Sequence, residues 1–149
     1  MGLTTKVNDV AAALIGHLGP IDTFKLQKLL YYCQSWHLVW ERTALFPNRI
    51  EAWANGPVIP DVYKQHAGMY LVKGAPIGSD PKRLTEPERS TVKAVVDYYG
   101  KKPGHVLAAL THRERPWLEA RASGNLGPGE RGRVEITHKA LLDYYEGLL

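Results

Sequence analysis

The sequence predicts a mainly α fold, with about six helices around a central helix over residues 23–41 and a small β element of one or two strands near 49–54 and 75–78. Three observations carry this. Apolar residues recur at three- and four-residue steps through most of the chain. Ten prolines and 14 glycines cut that pattern into short segments. Helix-start signatures precede several of the segments. A chain of 149 residues with 44% hydrophobic and 23% charged residues is expected to fold as one domain, residues 1–149, around one core.

The first helix starts after Thr4 or Thr5, places Val7, Val10, Leu14 and Leu18 on one narrow face, and stops at Gly19-Pro20. Asp22 or Thr23 then caps the central helix. Leu26, Leu29, Leu30, Cys33, Trp36, His37 and Trp40 form one stripe of it and Phe24, Tyr31 and Leu38 a second, which predicts burial on both sides. Residues 42–48 read as a loop, and the alternation from Arg49 to Trp53 as a half-buried strand. Asn55-Gly56-Pro57 is a turn signal, and Pro60 suits the first position of a helix reaching about Tyr70. Residues 71–84 read as a loop with a second short strand at Ala75 to Ile77.

Thr85 followed by Pro87 and Glu88 has the form of a capping box and predicts a helix over Glu86 to Tyr99. A further helix carries Val106, Leu107 and Leu110, and Pro116 starts another turn through Trp117 and Leu118. Gly124 to Gly132, with four glycines and a proline, reads as a mobile loop. Thr137 caps a last helix bearing Ala140, Leu141, Tyr144, Tyr145 and Leu148.

Charge and composition remove whole classes of function. The chain holds 19 Lys and Arg against 15 Asp and Glu, with 7 against 5 in residues 1–79 and 12 against 10 in residues 80–149. Neither half is a basic arm, and the cations alternate with acids, so direct nucleic-acid binding is not expected. Cys33 is the single cysteine, so no intramolecular disulfide can form and the cytoplasm is the expected compartment. The apolar stretch from Val10 to Gly16 is far below the roughly 20 residues of a membrane span and lacks the layout of a leader, so no membrane partner is expected.

Candidate chemistry is sparse. His105 and His112 stand seven residues apart, which on a helix separates them by roughly 10 Å, too far to share one ion. No His-x-x-x-His occurs, so no metal is expected. Cys33 and His37 lie one helical turn apart and could form a thiolate–imidazole couple, but Cys33 shares the apolar face of Leu26, Leu29 and Leu30, where a thiol stays inert. No nucleophile elbow or phosphate-cradling glycine loop is present, and neither catalysis nor a cofactor is expected. A hydrolase using His112 or the Cys33–His37 pair is the remote alternative.

The remaining resource is aromatic. Trp53 precedes the Asn55-Gly56-Pro57 turn and Trp117 follows Pro116; such residues either close the core or anchor an interface. Taken together they suggest a contact surface of Trp53, Asn55, Tyr63, His66, His112 and Trp117, with Arg113 and Arg115 as rim charges.

The run from Thr23 to Tyr32 leading into Trp36-His37-Leu38, then Leu45-Phe46, then Ile50 to Trp53 and Asn55 to Tyr63, resembles the Panacea-domain family, which includes phage-associated GepA-like proteins and SocA-like antitoxins. Leu110-Thr111-His112, Pro116-Trp117 and the segment from Ile136 to Tyr145 are similar too. The resemblance implies a mainly helical antitoxin of a bacterial or phage toxin–antitoxin system that binds its cognate toxin, a protein encoded by the adjacent gene. It makes Lys28, Tyr31, Gly56, Pro57 and Val58 signature positions with structural roles. A protease adaptor delivering a bound client is the alternative, and self-association through the aromatics is left open. For Lys28 two states are conceivable: exposed in water beside Asp22 or Gln27, or buried among a carboxylate or several carbonyls.

Overall fold

The structure, a computed structural model, describes residues 4–149. Seven α-helices are present among them: α1 (Thr4–Leu18), α2 (Thr23–Glu41), α3 (Pro60–His66), α4 (Glu86–Tyr99), α5 (Gly104–Thr111), α6 (Arg115–Ser123) and α7 (His138–Glu146). Five short strands interleave with them: β1 (Ile21–Asp22), β2 (Ile50–Trp53), β3 (Gly56–Val58), β4 (Leu71–Val72) and β5 (Glu135–Ile136). The fold is mainly α, and the turn expected at Pro116 is a full helix.

The central helix occupies the middle because its apolar residues lie on more than one side. Leu26, Leu29, Leu30, Tyr31, Tyr32 and Cys33 are all buried, and α1, α4, α5 and α7 pack around them. Each such leucine contributes about 1.5–3 kcal/mol by leaving water. The Asp22 carboxylate accepts from the Lys25 N–H at 2.8 Å and caps the helix start. Arg42, in the left-handed region at φ 59°, ends the helix by donating its N–H to the Leu38 carbonyl.

Local signals set two other helices where the sequence places them. Thr85 and Glu88 form the reciprocal capping box of α4, and the Thr137 hydroxyl accepts from the Ala140 N–H to cap α7.

Two buried glutamines on α2 hold neighbouring chain by its backbone. Gln34 donates to the Phe46 carbonyl at 2.6 Å and accepts from the Leu45 N–H at 2.7 Å. Gln27 accepts from the Ile59 N–H at 2.8 Å, immediately before α3. Each amide supplies the donor and acceptor that a strand neighbour would, so buried loop backbone is not left unsatisfied.

The strand expected near 49–54 forms as β2, and the rest of the β structure differs from expectation. β2 is central in a three-stranded antiparallel sheet, order β3-β2-β5, with Trp53 opposite Gly56 and Ile50 opposite Ile136. No strand forms at 75–78. Pro76 has no N–H to give to a ladder, its carbonyl accepts from the N–H of Ser79 instead, and the resulting turn leaves Ile77 fully exposed. The second pairing lies earlier, Ile21 opposite Val72 and Asp22 opposite Leu71. α3 stops at His66 instead of near Tyr70, and Gly68 then turns the chain at φ +83°. The glycine-rich segment after α6 carries ties of its own: buried Arg121 donates to the carbonyls of Gly127 and Glu130 while reaching Ala52 in β2. No helix among the described residues is long and apolar enough to cross a membrane.

Candidate partner-binding groove

The start of α2, the β2–β3 turn, α3 with the segment after it, and residues 131–133 enclose an open groove of about 910 Å³. Phe24, Gln27 and Lys28 line it from α2, Trp53 and Asn55 from the turn, Tyr63, Lys64 and His66 from α3, and Met69, Tyr70, Arg131 and Arg133 from the flanking segments.

Lys28 lies on its floor and is only 1% exposed. Its ammonium donates to the Pro57 carbonyl at 3.2 Å and stands 5.8 Å from the centroid of the Phe24 ring. No carboxylate pairs with it among the described residues. Burial lowers its pKa from 10.5 to about 8, against the opposing pull of the Asp22 charge. Neither state conceived from the sequence is met: the side chain is buried, with one carbonyl for three N–H donors.

The backbone at Gly56 makes room for it. Gly56 has φ +120°, and a Cβ there would stand 2.5 Å from Lys28 Cε, so both conformation and the lysine stem require glycine. Pro57 supplies the accepting carbonyl, and Val58 pairs with Glu51 across the sheet. Tyr31 is remote from the groove and fully buried, its hydroxyl 3.0 Å from that of Tyr145.

Of the residues proposed for a contact surface, Trp53, Asn55 and Tyr63 line this one groove. His66 borders the same groove but is 6% exposed, with Nε2 held 2.9 Å from the Gln27 amide, so it supports the wall and is not a free contact residue. Its pKa is lowered by burial. The expected surface does not extend to His112, Trp117, Arg113 and Arg115, none of which lines the groove. His112 stacks on Trp117 at 4.1 Å, and the Trp117 indole donates to the Trp53 carbonyl at 2.8 Å, so this pair braces the β2–β3 turn from behind. His112 Nε2 is buried without a hydrogen-bond partner, and burial lowers the pKa of the ring. Arg113 is exposed in the turn after α5, with its guanidinium on the Ala109 carbonyl of that helix, and Arg115 lies over the Tyr144 ring.

The cations that do border the groove, Lys28, Lys64, Arg131 and Arg133, include none of the expected rim charges. The i,i+4 spacing of Phe24 and Lys28 on one stripe of α2 was the available sign. Arg133 carried none, because its placement follows from β5 docking on β2. There it stacks over Trp53 and donates to Glu51 at 3.2 Å. Burial alone would raise the Glu51 pKa, but the Trp53 N–H and the Arg49 and Arg133 guanidiniums outweigh it and hold the carboxyl below its ordinary value.

A separate polar cluster lies inside the core. The hydroxyls of Tyr32 and Tyr145 donate to the Glu114 carboxyl at 2.7 and 2.9 Å, and burial raises the Glu114 pKa despite them. Cys33 is fully buried, its thiol pushed up by desolvation, while His37 bonds to Thr91 at 2.7 Å. The described residues hold no group of three or more His, Cys, Asp or Glu arranged to bind a metal ion.

A family model described as antitoxin SocA-like, Panacea domain, matches residues 26–118. The chain belongs to this family. No curated protein and no solved structure matches it. The Panacea span runs from the first turn of α2 to α6 and takes in Lys28, Gly56, Pro57, Tyr63 and Tyr70. Phe24 and the 131–133 wall lie outside it.

Proposed function

We propose that the chain is the antitoxin of a bacterial or phage toxin–antitoxin pair and neutralises its cognate toxin in the cytoplasm by direct binding, without a catalytic step or cofactor. The observation that carries this is the Panacea match over residues 26–118, whose description names an antitoxin. The groove supports it physically. Trp53 and Tyr63 project from a turn and a short helix that are fixed from behind by Trp117 and Gln27, and rigid aromatic anchors of this kind carry binding energy at low entropic cost. An occluding complex extending from the groove over neighbouring surface would bury about 1,200–2,000 Å².

Co-expression with the open reading frame beside this gene tests the proposal. That product alone is expected to arrest growth, and this chain to restore growth and copurify with it. A neighbour that is harmless alone and does not bind overturns the reading. Occlusion leaves the toxin's half-life unchanged or longer, whereas delivery to a protease shortens it.

A further inference from the structure

We propose that Lys28 is the anion anchor of the groove, and that the groove receives an extended acidic segment of the partner protein. One carboxylate of that segment meets the Lys28 ammonium, while a neighbouring apolar side chain packs against Trp53 and Tyr63. This rests on the antitoxin reading only for identifying the partner as the toxin.

Charge distribution is the first argument. The chain has 15 acidic residues, yet none lines the groove, whereas Lys28, Lys64, Arg131 and Arg133 do. Arg133 is partly neutralised by Glu51, and Lys64 is 3.9 Å from Asp61. Lys28 has no such partner. A surface of one sign around a recessed, unpaired charge is complementary to an acidic ligand.

The unmet donors of Lys28 are the second. Pro57 accepts one N–H, and the groups facing the ammonium from neighbouring elements leave the others unanswered. Asp22 directs its Oδ1 to the Lys25 backbone, His66 is engaged by Gln27, and His112 stacks on Trp117. A buried ammonium in this state gains a charge-assisted bond from any carboxylate that reaches it.

Ring geometry favours polypeptide over single-stranded nucleic acid. Trp53 meets Tyr63 at 63°, and Tyr63 meets His66 at 76°. Edge-to-face packing offers no row of parallel faces for successive bases, and one recessed lysine is not a track for a phosphate backbone. A carboxylate on Lys28 would also hold its proton more firmly. Because the free ammonium has a pKa of about 8, association above that pH takes up a proton.

The test uses four probes on the full chain: a capped peptide with two glutamates flanking a tryptophan, its glutamine and lysine counterparts, and a short oligothymidylate. Calorimetry is expected to show the glutamate peptide binding at least about tenfold more tightly than the glutamine one, the value of one charge-assisted hydrogen bond. Lys28→Met should abolish that preference, and the exposed variant Arg131→Glu should weaken glutamate-peptide binding. In buffers of differing ionisation heat at alkaline pH, the wild type should show proton uptake and Lys28→Met none. Equal affinity for the glutamate and glutamine peptides, an unchanged preference in Lys28→Met, no peptide binding at millimolar concentration, or tighter binding of the oligothymidylate overturns the proposal. Growth rescue separates the two levels. If Lys28→Met neutralises the toxin as well as the wild type does, the anchor is wrong and the antitoxin reading stands; if the wild type fails to rescue, the antitoxin reading falls and the peptide measurements alone decide the groove.

Discussion

Lys28→Met keeps the unbranched apolar stem and removes the charge, and it is expected to stabilise the free protein. The buried ammonium has its pKa lowered from 10.5 to about 8. At roughly 1.4 kcal/mol for each tenfold change in proton affinity, the charged folded form is disfavoured by about 3 kcal/mol. Methionine gives up the bond to the Pro57 carbonyl, worth about 1 kcal/mol. A net gain of about 2 kcal/mol at neutral pH remains, a rise in melting temperature of roughly 5 °C for a chain of this size. The pH dependence has a defined sign. Between pH 8 and 10.5 the folded wild type has lost the Lys28 proton while the unfolded chain keeps it. The unfolded state then binds more protons, and wild-type stability climbs with pH relative to the variant. Urea unfolding of both proteins from neutral pH to about pH 10 measures the difference, and the titrating tyrosines common to both cancel. A variant advantage that stays flat across this range, or a variant less stable than the wild type at neutral pH, refutes the reasoning.

Gly56→Ala should cost about 1–3 kcal/mol, since it forces alanine to φ +120° and drives a methyl into the Lys28 stem; an unchanged urea midpoint would contradict this. Glu114→Gln should gain on the wild type as pH rises from acid to neutral. Burial raises the folded pKa of Glu114, so its favourable contribution is complete below its unfolded pKa and is lost as pH rises through the folded one; parallel stability–pH curves for the two proteins would exclude it. Arg121→Met removes the donor shared by the Ala52, Gly127 and Glu130 carbonyls. Proteolysis within residues 124–132 should accelerate at temperatures where the rest of the fold is intact, and an unaltered cleavage rate would show that the loop is held by other means.

The parts of the fold legible in the sequence are those decided within one helical turn. The Asp22 cap, the Thr85–Glu88 box and the Thr137 cap each satisfy N–H groups three residues away, and the two stripes of α2 state its central position directly. The two-residue strands were illegible for the opposite reason. Ile21–Asp22 and Glu135–Ile136 have no periodicity to read, and their pairing is fixed by partners about 50 and 85 residues away. The groove divides in the same way. Trp53, Asn55 and Tyr63 belong to a turn and the helix that follows it, and local chemistry brings them together. Lys28 looked like an ordinary charged position on a helix, because its burial depends on Gly56 having no side chain. His112 and Trp117 carry the composition of a contact surface, but the indole N–H found a carbonyl on the inner side of the β2–β3 turn and took the imidazole with it.

The glutamine hooks of α2 have an evolutionary consequence. Gln27 holds the start of α3 through the main chain of Ile59, a group present whatever residue occupies that position. The side chains of Tyr63 and Lys64 line the groove and make no hydrogen bond to that framework; only their backbone is tied to it, as in the Tyr63 N–H donating to the Ile59 carbonyl at 3.0 Å. On the proposed antitoxin reading, substitutions at these two places can therefore change what the groove prefers while the scaffold keeps its shape, one residue at a time.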